Sequence, residues 1–200
     1  WVNSPVLKVE KTTDKPFYKY GDIITYRIVL TQEQTGCVAR NVTLQDVIDT
    51  QGVRLLKDSV ILMDEKGNVA DADVQINDDN TFLMSTGRTL VRDSRYSICD
   101  NDKGGLFEQV MYNPLDCQEQ KSMIVEYQAA VIDAALAGQK VHNTAVADSS
   151  EKIPATGEAE TEVHSPILEI VKESDKKEYA SGEKGYYKLT VRQLREDVTD

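Results

Sequence analysis

The beginning of the chain recurs near its end. Residues 4–15 reappear as residues 165–176, a shift of 161 positions, and the match continues without a gap. A fixed period of this kind defines the folding unit before any local pattern does. The sequence therefore predicts a complete repeat over residues 1–164 and the first strands of a second, truncated repeat over residues 165–200. The match continues with four further identical pairs, in which the residue of the first copy is given first: Tyr18 and Tyr179, Gly21 and Gly182, Tyr26 and Tyr187, and Gln32 and Gln193.

Apolar and polar residues alternate along most of the chain. A period of two is typical of β-strands that bury one face. Turn residues such as Lys66-Gly67-Asn68 separate the strands at spacings that suit two packed sheets, and alanines between positions 131 and 136 indicate one helical stretch. The predicted fold is an all-β, immunoglobulin-like β-sandwich with an incomplete second repeat at the C-terminus. One phase of the alternation contains Ile24, Tyr26, Ile28, Leu30, Val42, Leu44, Ile48, Met123, Val125, Tyr127, Val141 and Ala145.

The charge and hydropathy of the chain argue against two classes of partner. The formal net charge is −11, and the sequence has no basic stripe of the kind that binds a phosphate backbone. No apolar run approaches the roughly 18 residues of a membrane helix. We therefore expect neither nucleic-acid binding nor membrane insertion of this fragment. Because Trp1 opens directly into a strand-like pattern without a signal peptide, we interpret the chain as a piece of a longer protein.

The cysteines and acidic turns do not predict a cofactor. Cys37, Cys99 and Cys117 have neither CxxC spacing nor the partners of a zinc site. Either Cys99 and Cys117 form a disulfide in an oxidising compartment, or all three cysteines are buried free thiols. Asp100 and Asp102 alternate like the ligands of a calcium loop, but the distal glutamate of an EF-hand is missing. We expect no cofactor and no metal, with Asp100 and Asp102 as a weak calcium candidate.

Three polar residues, Lys11, Asp46 and Asn143, share the phase of the apolar residues in their own strands. Burial favours the neutral amine of lysine and the neutral acid of aspartate. A neutral amine can attack a carboxamide carbon and expel ammonia when a protonated carboxyl polarises the carboxamide oxygen. The pattern predicts a Lys11–Asn143 isopeptide bond that Asp46 helps to form. Alternatively, Lys11 reaches water at the sheet edge, Asp46 caps a turn and Asn143 bonds to backbone.

The surrounding strands resemble a known family. Over residues 4–148 the chain is similar to the repeat domains of bacterial cell-surface and fimbrial proteins that form intramolecular isopeptide bonds. In such domains a lysine on the first strand joins an asparagine on the last, assisted by an acidic residue, which implies these roles for Lys11, Asn143 and Asp46. The motifs that carry the resemblance are GDIITYRI at residues 21–28, NVTLQD at residues 41–46 and NTAV at residues 143–146.

The truncated copy contains an equivalent lysine without its partners. Lys172 matches Lys11, but no asparagine strand follows it in this sequence, so we expect Lys172 to remain unreacted.

Two features depart from the family pattern. The segment over residues 69–120 is long, and cysteines are uncommon in such stalk proteins.

The resemblance implies a structural stalk or pilus-like repeat of a bacterial surface protein. Its partners would be neighbouring repeats of the same chain. It would be extracellular, attached to the cell surface through parts of the parent protein outside this sequence. The alternative is an adhesin-type binding module that uses residues 69–120 to contact a host or cell-surface ligand. We expect no enzyme, because the chain has no nucleophile elbow, phosphate-binding loop or dinucleotide fingerprint.

Overall fold

A computed structural model describes residues 4–35, 37–77, 80–92, 119–166 and 168–194. Strands dominate these residues, and short 3-10 turns occur at Lys57–Ser59 and Ala134–Leu136. The helical stretch indicated between positions 131 and 136 is thus a single 3-10 turn, because the preceding strand continues through Val131. In chain order the strands are β1 Leu7–Thr13, β2 Phe17–Tyr18, β3 Ile23–Gln32, β4 Val38–Ala39, β5 Thr43–Ile48, β6 Val53–Leu55, β7 Ile61–Asp64, β8 Val69–Ala70, β9 Asp73–Ile76, β10 Thr81–Ser85, β11 Thr89–Val91, β12 Glu119–Gln120, β13 Ser122–Val131, β14 Lys140–Asp148, β15 Ala155–Val163, β16 Leu168–Ser174 and β17 Tyr187–Gln193.

Two sheets face each other across one hydrophobic core. The first has the order β1-β3-β13-β7-β8, with β6 also paired to β13, and the second has the order β2-β15-β14-β5-β10-β9. Neighbouring strands in these sheets are antiparallel except for β2 and β15, which run parallel. Ile28 and Leu30 of the first sheet and Leu44 and Met84 of the second are fully buried in the core. The predicted all-β, immunoglobulin-like β-sandwich is confirmed.

The described part of residues 69–120 belongs to this sandwich. β10 pairs with β5, and β9 pairs with β10, so both strands extend the second sheet. Phe82 and Met84 of β10 are buried in the core, as is Leu90 of β11. β11 also joins β4 and β12 in a small three-stranded sheet. Most of the described residues of this segment therefore belong to sheet strands.

A separate hairpin near the C-terminus repeats the first hairpin of the sandwich. Every residue pair between β16 and β17 equals a pair between β1 and β3 moved by 161 positions. The turn repeats as well: Asp14 accepts a hydrogen bond from the backbone N–H of Thr25 at 2.8 Å, and Asp175 accepts one from Tyr186 at 3.0 Å. The two copies thus share local structure, while the division at residues 164 and 165 stays a prediction.

The sheets approach each other closely where β1 lies against β15. A Cβ at Gly157 of β15 would stand 2.6 Å from the carbonyl oxygen of Val9 and 2.6 Å from its Cγ1. Glycine is therefore required for this approach. Lys11 follows Val9 by two residues on the same face of β1, and Asn143 lies on β14, the neighbour of β15. The close approach brings Lys11 within reach of Asn143.

Gly157→Ala is expected to destabilise the fold by about 1–3 kcal/mol, because the added methyl group must displace the backbone of β1. Thermal unfolding followed by circular dichroism measures the effect. Glu158→Ala, an exposed neighbour on the same strand, is the matched control and should change stability by no more than about 0.5 kcal/mol. Equal melting temperatures for Gly157→Ala and the parent chain would contradict the tight contact.

Candidate functional site

Lys11, Asp46 and Asn143 meet between the two sheets. Lys11 lies on β1, whereas Asp46 and Asn143 lie on the paired strands β5 and β14 of the opposite sheet. Asp46 pairs with Ala145, two residues from Asn143, so the two side chains are diagonal neighbours on one face. The Nζ atom of Lys11 donates hydrogen bonds to Asp46 Oδ2 and to Asn143 Oδ1. The structure thus brings together the three residues that the sequence placed on inward phases.

Burial changes the protonation of this group. The side chains of Lys11 and Asp46 are each 0% exposed, so the alternative in which Lys11 reaches water at the sheet edge is wrong. Burial lowers the pKa of Lys11 to about 8, although the Asp46 carboxyl opposes this change. Burial also raises the pKa of Asp46, against the opposing effect of the amine. Both shifts favour the uncharged forms of the pair, in which the Lys11 amine is nucleophilic.

Tyr127 of β13 connects the carboxyl to the carboxamide, and sequence reasoning missed this role. Its hydroxyl donates a hydrogen bond to Asp46 Oδ1 at 2.6 Å and accepts one from Asn143 Nδ2 at 2.5 Å. The available signal was its place on the inward phase, because a buried tyrosine hydroxyl needs a polar partner. Tyr127 therefore belongs to the site as closely as the other three residues.

Tyr26 of β3 packs on the Tyr127 ring next to the site. The two rings stack with centroids 5.1 Å apart, and Phe82 packs against Tyr127 edge-on at the same separation. The Nζ atom of Lys11 lies 5.3 Å from the centre of the Tyr26 ring and 5.7 Å from that of Tyr127. The Tyr26 hydroxyl is buried and makes no hydrogen bond of normal geometry among the described residues. Burial raises the pKa of Tyr26, and the nearby Asn143 side chain opposes this change. Tyr26 thus packs on Tyr127 and also borders the Asn143 carboxamide.

The site brings together the groups that an amide exchange needs: the amine of Lys11, the carboxamide of Asn143 and the carboxyl of Asp46. One contact differs from the sequence expectation, in which Asp46 polarises the Asn143 carbonyl oxygen directly. In the structure that oxygen accepts from Lys11, whereas Asp46 bonds to Lys11 and Tyr127. Asp46 is therefore connected to the Asn143 carboxamide through Lys11 and Tyr127.

Lys172 has different surroundings from Lys11. It lies exposed on β16, where it pairs with Leu189, and its Nζ atom stands 4.3 Å from the centre of the Tyr187 ring. No carboxylate or carboxamide bonds to this amine in the ranges that the structure describes. Its lack of reaction stays a prediction.

The other candidate residues from the sequence are the three cysteines and the two aspartates of the weak calcium candidate. Cys99, Cys117, Asp100 and Asp102 lie outside the described residues, so the disulfide and the weak calcium candidate stay predictions. Cys37 is a free, partly buried thiol, and burial raises its pKa. Within the described ranges no group of three or more potential metal ligands occurs. No helix in those ranges is long and apolar enough to cross a membrane.

Comparison with known proteins identifies the fold. No protein-family model matches the chain, and no curated protein does. Solved structures do match. The major pilin subunit BcpA of Bacillus cereus aligns with a TM-score of 0.51 and 10% identity, over 82% of this chain and 41% of that chain. A variant of BcpA aligns with a TM-score of 0.53 and 9% identity, over 94% of this chain and 56% of that chain.

A second kind of protein shares the same architecture. The N-terminal domain of the Streptococcus gordonii adhesin Sgo0707 aligns with a TM-score of 0.51 and 14% identity, over 80% of this chain and 32% of that chain. This chain therefore spans less than two thirds of the length of each of these three matched chains. At these identities the likeness concerns the fold: the chain shares its β-sandwich with domains of a bacterial pilin and of a bacterial adhesin.

Proposed function

We propose that this chain is a structural module of a bacterial surface stalk or pilus, cross-linked by an isopeptide bond between Lys11 and Asn143 that Asp46 helps to form. The observation that carries the proposal is the Lys11 amine, which is hydrogen-bonded to both other groups in a site shielded from water. Burying an amine beside a carboxyl costs stability compared with apolar residues of similar volume. A covalent bond between Lys11 and Asn143 would offset that cost.

The position of the bond suits a mechanical role. Lys11 lies on the first strand and Asn143 on the fourteenth, 132 positions apart in sequence. The bond would join the two sheets of the sandwich and enclose most of its strands in one loop. Tension along the chain would then pass through a covalent link rather than through hydrogen-bonded strand pairs.

The shared fold supports an extracellular location for this module. BcpA is a pilin subunit and Sgo0707 is an adhesin. We place this chain likewise on the cell surface, attached through other parts of its parent protein and in contact with neighbouring repeats of the same chain. Its role is structural rather than enzymatic.

The described part of residues 69–120 favours the stalk over the adhesin-type binding module. A ligand surface would present aromatic side chains to solvent in this segment. Instead, Phe82 is 1% exposed and packs on Tyr127, and Leu90 is also buried in the core. These residues stabilise the sandwich itself.

Intact-protein mass spectrometry under reducing conditions is expected to give a mass one ammonia below the calculated value. Lys11→Ala and Asn143→Ala should each give the full calculated mass of the variant, because neither retains both reacting groups. Lys172→Ala is the matched control and should keep the deficit. A full calculated mass for the unaltered chain would refute the cross-link.

A further inference from the structure

The hydroxyl of Tyr127 stands between the acid of the site and the nitrogen that must leave. It lies 2.6 Å from Asp46 Oδ1 and 2.5 Å from Asn143 Nδ2. We propose that Tyr127 is a catalytic residue of isopeptide formation, which passes a proton to Nδ2 so that this nitrogen leaves as ammonia. This inference rests on the proposed function and adds a fourth reacting group to it.

Bond formation requires one proton to move between two nitrogens. The Lys11 nitrogen must lose a proton as it bonds to Cγ of Asn143, and Nδ2 must gain one before it can leave. Asp46 Oδ2 contacts the first nitrogen, but the second is in contact with Tyr127. The other carboxyl oxygen of Asp46 contacts the same hydroxyl. These contacts form a continuous path from one nitrogen to the other.

The transfer balances if Lys11 starts as the neutral amine and Asp46 in its acid form with its proton on Oδ1. The protonated Oδ1 then donates to the Tyr127 oxygen, and the Tyr127 hydroxyl donates to Nδ2 once attack has made Cγ tetrahedral and freed the lone pair of that nitrogen. The Lys11 Nζ–Asn143 Cγ bond forms, and a proton passes from Nζ to Asp46 Oδ2. The Oδ1 proton passes to the Tyr127 oxygen, and the Tyr127 proton passes to Nδ2. The Cγ–Nδ2 bond then breaks and ammonia leaves. Asp46 and Tyr127 each end with the number of protons they had at the start.

Packing fixes the position of the Tyr127 ring independently of its hydroxyl. The ring is stacked on Tyr26 and contacted edge-on by Phe82, each at 5.1 Å between centroids. Phenylalanine at position 127 would keep both contacts. Burial and the nearby Asp46 raise the pKa of Tyr127, so the hydroxyl keeps its proton at any physiological pH. The group is therefore always able to donate.

The test compares phenylalanine variants of two buried tyrosines, one inside the site and one outside it. Each chain is made by cell-free synthesis, samples are quenched in acid over time, and the cross-linked fraction is measured by intact mass. Tyr127→Phe is expected to form the bond at least about 100-fold more slowly than the unaltered chain, the usual contribution of a positioned proton donor. Tyr18→Phe, which removes a buried hydroxyl that bonds to Asp14 and contacts no group of the site, should react at the parent rate.

Several outcomes would overturn this inference. Formation of the bond at the parent rate in Tyr127→Phe would do so, and equal slowing in Tyr127→Phe and Tyr18→Phe would indicate a general loss of core stability instead of a lost proton donor. If circular dichroism shows that Tyr127→Phe does not fold, fluorotyrosine at position 127 replaces it. This residue keeps the hydroxyl but changes its acidity, so an unaltered rate would then reject the proton transfer. A full mass for the unaltered chain would refute the proposed function as well, whereas a cross-linked parent with a fast Tyr127→Phe would refute this inference alone.

Discussion

Asp46→Asn is expected to leave the chain without its cross-link and to lower its melting temperature by about 10–20 °C. Asparagine has nearly the same size as aspartate, but it cannot take the proton that Lys11 must lose. By analogy with disulfides, closing a loop of this length stabilises the folded state by about 5 kcal/mol. In a chain of this size each kcal/mol corresponds to about 2–4 °C. Intact mass and thermal unfolding are measured on the same sample.

Asp49→Asn is the matched control for this prediction. Asp49 is exposed and acts on Lys11 through space, since its charge raises the pKa of the amine. It makes no hydrogen bond to either reacting group in the described part of the chain. We expect Asp49→Asn to stay cross-linked and to melt within about 2 °C of the parent. Complete cross-linking in Asp46→Asn, or an uncross-linked variant that melts with the parent, would contradict the role given to Asp46.

The strand phases could be predicted from the sequence because side chains alternate strictly along a strand. Lys11, Asp46 and Asn143 therefore had to face inwards once their apolar neighbours did. The repeat in the sequence matches positions of the two copies, and in the structure the two hairpins have the same register after a shift of 161 positions. Both inferences depend on local patterns or on comparison within one chain.

The assignment of residues 69–120 shows what local patterns could not predict. The strand around Phe82 lies next to β5, and this pairing is set by side-chain packing between distant segments. Alternation predicts which face of a strand is buried, but it does not identify the neighbouring strand. The described strands β9 and β10 of this segment could therefore not be assigned to the sandwich from the sequence alone.

The role of Tyr127 depends on distances that no pattern contains. Its phase predicted burial beside Met123 and Val125, and the three residues looked alike as core positions. Which polar atoms its hydroxyl contacts depends on how far the two sheets are apart and on its stacking against Tyr26. The sequence thus predicted three of the four residues that meet in the site, but not the residue whose hydroxyl connects the Asp46 carboxyl to the Asn143 nitrogen.

Stretching the chain by its two ends is expected to leave residues 11–143 unextended. Force enters before Lys11 on β1 and leaves after Asn143 on β14, so the bond carries it past the loop between them. Only strands outside this loop, such as β15 and the β16–β17 hairpin, can then unravel. Without the bond, β1 separates from β3 and the enclosed 132 positions become free to extend. At about 3.6 Å per residue this adds a length of about 480 Å.

Single-molecule force spectroscopy on the unaltered chain and on Lys11→Ala measures this difference. The long extension should occur in Lys11→Ala and be missing from the unaltered chain. Lys172→Ala should behave like the unaltered chain, because its amine has no carboxamide partner in the described ranges. Hydrogen-bonded strands resist force only until one pair separates, whereas an amide bond does not break at forces that unfold a domain. A long extension in a chain whose mass shows the ammonia deficit would therefore place the cross-link elsewhere than between Lys11 and Asn143.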